Sequence, residues 1–279
     1  MGFISDQIQG VRRFIPARSL PDLARKRIDK LYEIEEFRLS QQEEMRFTLE
    51  HTERAAEIPE IARRYSEFAL LRGYRRWHPK LLCHQPVSGV EWLTTKRDPA
   101  RGVVISFLHH AQYDGIFPSL AEHGTRTHAV VAPEAFDPAT DVQLRQHFKV
   151  ASSHPKSSLV STAIGSSGLA EMLQQGEMLA IASDVAGRTP VTFLGREIHV
   201  ASGAPRLAMQ TNSPVVLVTS HQTADGGPSV HVHEPIEPGD FTDPADLLAE
   251  IMHQHEPAIV AWPEAFDSPY GRLVGAAVV

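Results

Sequence analysis

From about residue 100 onward the chain alternates two kinds of segment. VVISFL (103–108), HAVVA (128–132), MLAIAS (178–183) and SPVVLVTS (213–220) are short and almost continuously apolar, the mark of strands buried on both faces. Between them SSGLAEMLQQGE (166–177) and PRLAMQTN (205–212) carry helical spacing, the first ending near Gly176. Buried strands separated by helices require a mostly parallel sheet with helices on both sides. SVHVHEPIEP (229–238) reads as a last strand and DPADLLAEIMHQHEPAIVAW (243–262) as a closing helix.

The first 82 residues have another texture. Leu20, Leu23, Ile28, Leu31, Ile34 and Phe37 recur at roughly helical spacing among charges, and the pattern continues to Pro79, with Pro59 at a first helical position. VSGVEWL (87–93) is a short element, followed by the turn-rich KRDPARG. No repeat or low-complexity linker divides the chain. The expectation is therefore one domain over 1–279, with a helical N-terminal region (1–82) packed on an α/β catalytic part (83–279).

Composition narrows the function classes. A single cysteine, Cys83, excludes an internal disulfide framework and fits a reducing, cytoplasmic setting. The start lacks an uninterrupted apolar core of a signal peptide, and no stretch reaches the roughly 20 apolar residues of a membrane span. Met1-Gly2 followed by Ser5 only loosely matches a myristoylation start. Net charge is −7, but residues 1–100 carry 18 Lys/Arg against 15 Asp/Glu, and seven basic residues fall between Gly10 and Lys30. With Phe3, Ile4, Ile8, Val11, Phe14 and Ile15, residues 3–30 form an amphipathic basic stretch. It suits reversible contact with an anionic membrane surface at the inner face of the cell membrane. Nucleic acid is not expected as a partner, because basic and aromatic residues do not interleave and no known module is present. The pairs His231/His233 and His253/His255 lack the geometry of a metalloprotease helix, so no metal is expected.

Function points to FLHHAQYDG (107–115), which leaves the first buried strand directly. In open α/β sheets the site lies beyond the strand C-termini. His109 and Asp114 stand in an H-x4-D spacing. A histidine titrates near neutrality and can remove a proton from a hydroxyl as it attacks a carbonyl. A carboxylate on its other ring nitrogen would fix the tautomer. No serine or cysteine occupies a nucleophile elbow, so a covalent acyl-enzyme is not expected.

The phrases SGVEWL, VVISFL and HHAQYD come first. LAEMLQQGEMLAIASDVAGRTPVTFLGR, SGAPRLAMQTNSPVVLV and HEPAIVAW follow in order between about Tyr65 and Trp262. In this the chain resembles the lysophospholipid acyltransferase superfamily, in its lipid A biosynthesis and phosphatidylinositol mannoside acyltransferase branch. The resemblance implies a glycerolipid acyltransferase-like fold and an acyltransferase acting by direct transfer. His109 would be the general base and Asp114 its orienting carboxylate. Asp184 and Arg188 match the family's second polar loop, although its paired aspartates are absent. With Arg196 after FLG, and with His110 beside the motif, they are the substrate-lining candidates; Arg206 would brace the fold. No cofactor is implied beyond a thioester donor, acyl-CoA or acyl carrier protein. The acceptor stays open between a glycolipid and a soluble small molecule such as a natural-product intermediate, because the family's closing arginines after the tail tryptophan are replaced by PEAF. Hydrolysis on the same site, or a catalytically inactive binding relative, is the alternative.

Overall fold

The computed structural model describes residues 10–274. The myristoylation-like start and Phe3, Ile4 and Ile8 lie outside the described residues. Three helices come first: α1 (Leu20–Leu31), α2 (Glu35–Leu49) and α3 (Ile58–Arg75), the last with a proline in its opening turn. The strand β1 (Val87–Ser88) precedes β2 (Val103–Phe107), α4 (Ile116–Glu122), β3 (Thr127–Val131), α5 (Val142–Ala151) and β4 (Ser157–Ser161). Then follow α6 (Gly165–Gln174), β5 (Met178–Ala182), β6 (Ala186–Phe193), β7 (Arg196–Val200) and α7 (Gly203–Thr211). The chain closes with β8 (Val215–Gln222), β9 (Pro228–Val232), α8 (Pro244–Ala261) and α9 (Pro269–Leu273).

Seven strands form one mixed sheet in the order β1-β9-β8-β2-β5-β3-β4. The five from β8 to β4 in that order are mutually parallel. β2 sits at the centre and all five of its residues are buried. Alternation along it divides the core. Val103, Ile105 and Phe107 pack with Ile116, Phe117, Leu120 and Ala151 of α4 and α5. Val104 faces Leu169, Leu173, Leu207 and Leu247 of α6, α7 and α8. The N-terminal helices join the α/β part through Phe47, which shares a buried cluster with Phe193, Phe266 and Leu273.

The expected mostly parallel sheet is present, with several features that periodicity did not announce, the edge strand β4 among them. The last strand runs antiparallel to β8, because Thr223–Gly227 closes a tight connection in which Thr223 N–H donates to the Gly227 carbonyl. The segment after Asp184 is a two-stranded hairpin, β6–β7, turned by Leu194 (φ 52°) and Gly195 (φ 75°). Positive φ at both central residues is the turn that matches strand twist. Helix α5 is another such element, and it starts where Asp141 accepts a hydrogen bond from Gln143 N–H.

Candidate active site

His109 stands two residues beyond Phe107, and Asp184 two beyond Ala182. Phe107 and Ala182 are direct partners in the β2–β5 register, so the parallel pairing delivers His109 and Asp184 side by side past the same edge of the sheet. Asp184 holds the histidine twice: one carboxylate oxygen accepts the His109 backbone N–H at 2.9 Å, the other meets Nδ1 at 2.7 Å. A carboxylate can only accept, so Nδ1 carries a proton, and in the neutral form of the ring Nε2 is the acceptor. Burial opposes ionisation of Asp184, yet its bonds and charge interaction with His109 outweigh this and keep its carboxyl below the ordinary range.

The loop after β2 is clamped by the tail of the chain. Ala111 N–H donates to the Ala265 carbonyl and Asp267 N–H donates to the His109 carbonyl, both at 2.8 Å. The turn passes through Ala111 at φ 57°, a left-handed conformation that costs a non-glycine residue energy.

His109 opens on a cavity of about 320 Å³. Phe107, Phe117, Val131, Leu144, Phe148, Ala151, Leu159 and Ala182 line it, with Arg76, Tyr113, His147, Asp267 and Arg272 as its polar part. It lies among the C-terminal parts of β2, β3 and β5, under one face of α5. Leu144, His147, Phe148 and Ala151 fall on that face at helical spacing.

Asp114 is not the partner of His109. Its Oδ1 accepts from Arg76 Nε at 2.8 Å and from His147 Nδ1 at 2.5 Å. The Tyr113 ring stands edge-on to both imidazoles, centroids 4.8 Å from His109 and 5.3 Å from His147. The Nδ1 edge of His109 is already occupied by the nearer residue across the strand pair. Asp114 is fully buried; burial pushes its carboxyl up, but its interactions with His147, including the Nδ1 hydrogen bond, and with the Arg76 guanidinium prevail and hold it well below the usual range. Tyr113 O–H donates to Asp267, which also pairs with Arg72 and Arg272. Burial likewise opposes the Asp267 charge, and these two arginines overcome it.

Three substrate-lining candidates do not reach the cavity. His110 points the other way: its Nε2 donates to the Trp262 carbonyl at 2.8 Å, and burial pushes its pKa down to about 4. Arg196 reaches back to α2, donating to the Arg46 carbonyl and Glu50 and lying over the Phe47 ring, because the hairpin aims it at the helical region. Arg188 is exposed on β6. Asp184 acts on the histidine instead of lining the cavity.

Sequence reasoning passed over Arg72, Arg76, His147, Asp267 and Arg272. Nothing local marks His147 within α5. Arg272 had a signal of a kind: it is a tail arginine, ten residues after Trp262, returned to the site by α9. The histidines of the last strand are engaged elsewhere, His231 with Ser88 and His233 with Thr219. Among the described residues no group of three or more His, Cys, Asp or Glu is placed to hold a metal ion.

Residues 53–267 match the family model described as bacterial lipid A biosynthesis acyltransferase. A search of curated proteins gave no match. Among solved structures, the 1-acyl-sn-glycerophosphate (LPA) acyltransferase PlsC from Thermotoga maritima is similar at 16% identity, over 89% of this chain and 98% of that chain, with a TM-score of 0.42.

Proposed function

The chain belongs to the bacterial lipid A biosynthesis acyltransferase family, and on that premise we propose that it moves an acyl group from a thioester donor directly to a hydroxyl or amine. The donor is acyl-CoA or acyl carrier protein; the acceptor is a glycolipid or a soluble small molecule. The observation that carries this reading is a histidine whose Nδ1 is held by a buried aspartate at 2.7 Å while the ring lines an apolar cavity.

His109 Nε2 takes the proton of the acceptor hydroxyl as its oxygen attacks the thioester carbonyl. The new C–O bond creates a tetrahedral oxyanion, and the imidazolium formed is stabilised by Asp184. Collapse breaks the C–S bond, and the proton on Nε2 passes to the departing thiolate. Arg76 and Arg272 line the cavity, each held by a carboxylate, and an N–H of either guanidinium can donate to the oxyanion. The apolar part receives the acyl chain. At ~30 Å³ per water the cavity holds on the order of ten water volumes, room for a chain of medium length.

Ser106 Oγ does contact a histidine, His255, at 3.0 Å. Both are buried and neither lines the cavity at His109, which supports direct transfer over a serine acyl-enzyme. The test is to supply decanoyl-CoA with and without an added alcohol and identify the products. Ester formation supports transfer. Free acid alone in both arms turns the reading to hydrolysis, and a stable acyl-protein adduct rejects the direct route.

A further inference from the structure

The cavity contains a second histidine–aspartate pair built like the first. His147 Nδ1 lies 2.5 Å from Asp114 Oδ1, and that carboxylate is fully buried and also takes Arg76 Nε. Nδ1 therefore carries the proton, and Nε2, on the opposite edge of the ring, is left with a lone pair. The His147 side chain is 14% exposed and belongs to the cavity lining. Its Nε2 has no partner among the described residues. Burial pushes its pKa down, which keeps the ring neutral and Nε2 an acceptor near neutral pH.

Tyr113 separates the two imidazoles and touches each edge-on. Both imidazoles thus line the same cavity, on either side of one phenol ring. A second base is not required by the transfer, since one histidine both removes and returns the proton. An acceptor with no protein partner on the wall of a cavity is free to take a hydrogen bond from whatever fills that cavity.

We propose that His147 is a substrate-contacting residue: its Nε2 accepts a hydrogen bond from an O–H or N–H of the substrate close to the reacting centre, and Asp114 positions it. This rests on the transfer reading above. Two sources offer that chemistry. One is a second hydroxyl beside the acylated one, as on a sugar or other polyol acceptor. The other is the amide nearest the sulfur in the donor's pantetheine arm. The H-x4-D spacing then joins two different histidines of one site, its aspartate serving His147 while Asp184 serves His109.

Nitrogen NMR of [15N]histidine-labelled protein reads this without turnover, with His147 assigned from the signal lost in His147→Gln. The free protein should show Nδ1 protonated and Nε2 bare. Adding octyl glucoside tests the hydroxyl source, and adding the unreactive thioether analogue of decanoyl-CoA tests the amide source. An upfield shift of Nε2 in either arm supports the proposal and identifies the source. A proton resident on Nε2, or no shift in either arm at saturating ligand, overturns it. A wild type that transfers no acyl group in the product assay would instead sink the transfer reading, whatever the NMR shows. In kinetics, His147→Ala should raise KM about tenfold for the substrate that moved Nε2, the cost of one hydrogen bond. His147→Gln, whose Oε1 can accept, should recover most of it; circular dichroism of both variants checks folding. Equal KM values across wild type and both variants would reject the contact.

Discussion

At the scale of single residues the two aspartates are expected to behave differently. His109→Ala should lose roughly 10²- to 10⁴-fold in rate. Asp184→Asn should approach that loss, because an amide can donate to Nδ1 and so favours the wrong tautomer. Asp114→Asn should act through His147 and Arg76, raising KM more than it lowers kcat. The pH dependence of kcat/KM reports the difference: it should be altered in Asp184→Asn and keep its wild-type form in Asp114→Asn. The reverse assignment would restore the spacing-based expectation that Asp114 orients His109. Arg272 donates to Asp267 through both Nε and Nη2 and lies beyond the family match, which ends at residue 267. Its replacement by alanine should cost about ten- to a hundredfold in kcat/KM, the range for a hydrogen bond to a charged group. Undiminished activity in that variant would make α9 a purely structural addition.

At the scale of elements, α5 is the wall that sets how much the cavity can hold. Ala151 lies at its inner end, 3% exposed and against the core under β2. Ala151→Phe should move the donor preference towards shorter acyl chains. It should also cost about 1–3 kcal/mol of stability through overpacking. A chain-length series of acyl-CoA donors with parallel thermal denaturation separates the two effects. An unchanged length profile in a folded variant would mean that the acyl chain lies elsewhere. The hairpin β6–β7 has a different office. Through Arg196, Phe193 and the Leu194 N–H that donates to Glu256, it joins α2 and α8, and substitutions there should lower stability before they lower activity.

For the whole molecule, buried neutral histidines predict acid sensitivity. Burial pushes His110 down to about 4 and His255 down to about 3, against ~6.5 in an unfolded chain. Between those values the unfolded state binds more protons, so stability is full above about pH 6.5 and falls as pH drops towards 4 and below. The two together should remove on the order of several kcal/mol. Urea midpoints from pH 7.5 to 4 measure this, and a flat profile would show that these rings are not held neutral. No helix among the described residues is long and apolar enough to cross a membrane. Val11 and Phe14 are exposed beside Arg12 and Arg13, although Arg12 also lies over Tyr74. Sedimentation with anionic vesicles should therefore show binding that weakens as salt rises. Binding that withstands high salt would contradict a surface contact of this kind.

The sequence by itself determined the central strands and the place of His109 at their edge. Runs such as VVISFL, short and rich in β-branched residues, favour buried strands, and a residue leaving such a strand at its C-terminal end in a parallel sheet arrives at the edge where sites form. For that reason the sheet and His109 were legible. The aspartate that holds His109 was not, because H-x4-D describes five residues of one loop, whereas the bond depends on the register between β2 and β5, 75 positions apart in sequence. His147 and Arg272 were hidden for the same reason. Periodicity reports which face of its own element a residue occupies, and says nothing of which cavity that face will close. Only the packing of α5 and α9 against the β2 edge decided that two histidine–aspartate pairs share one site.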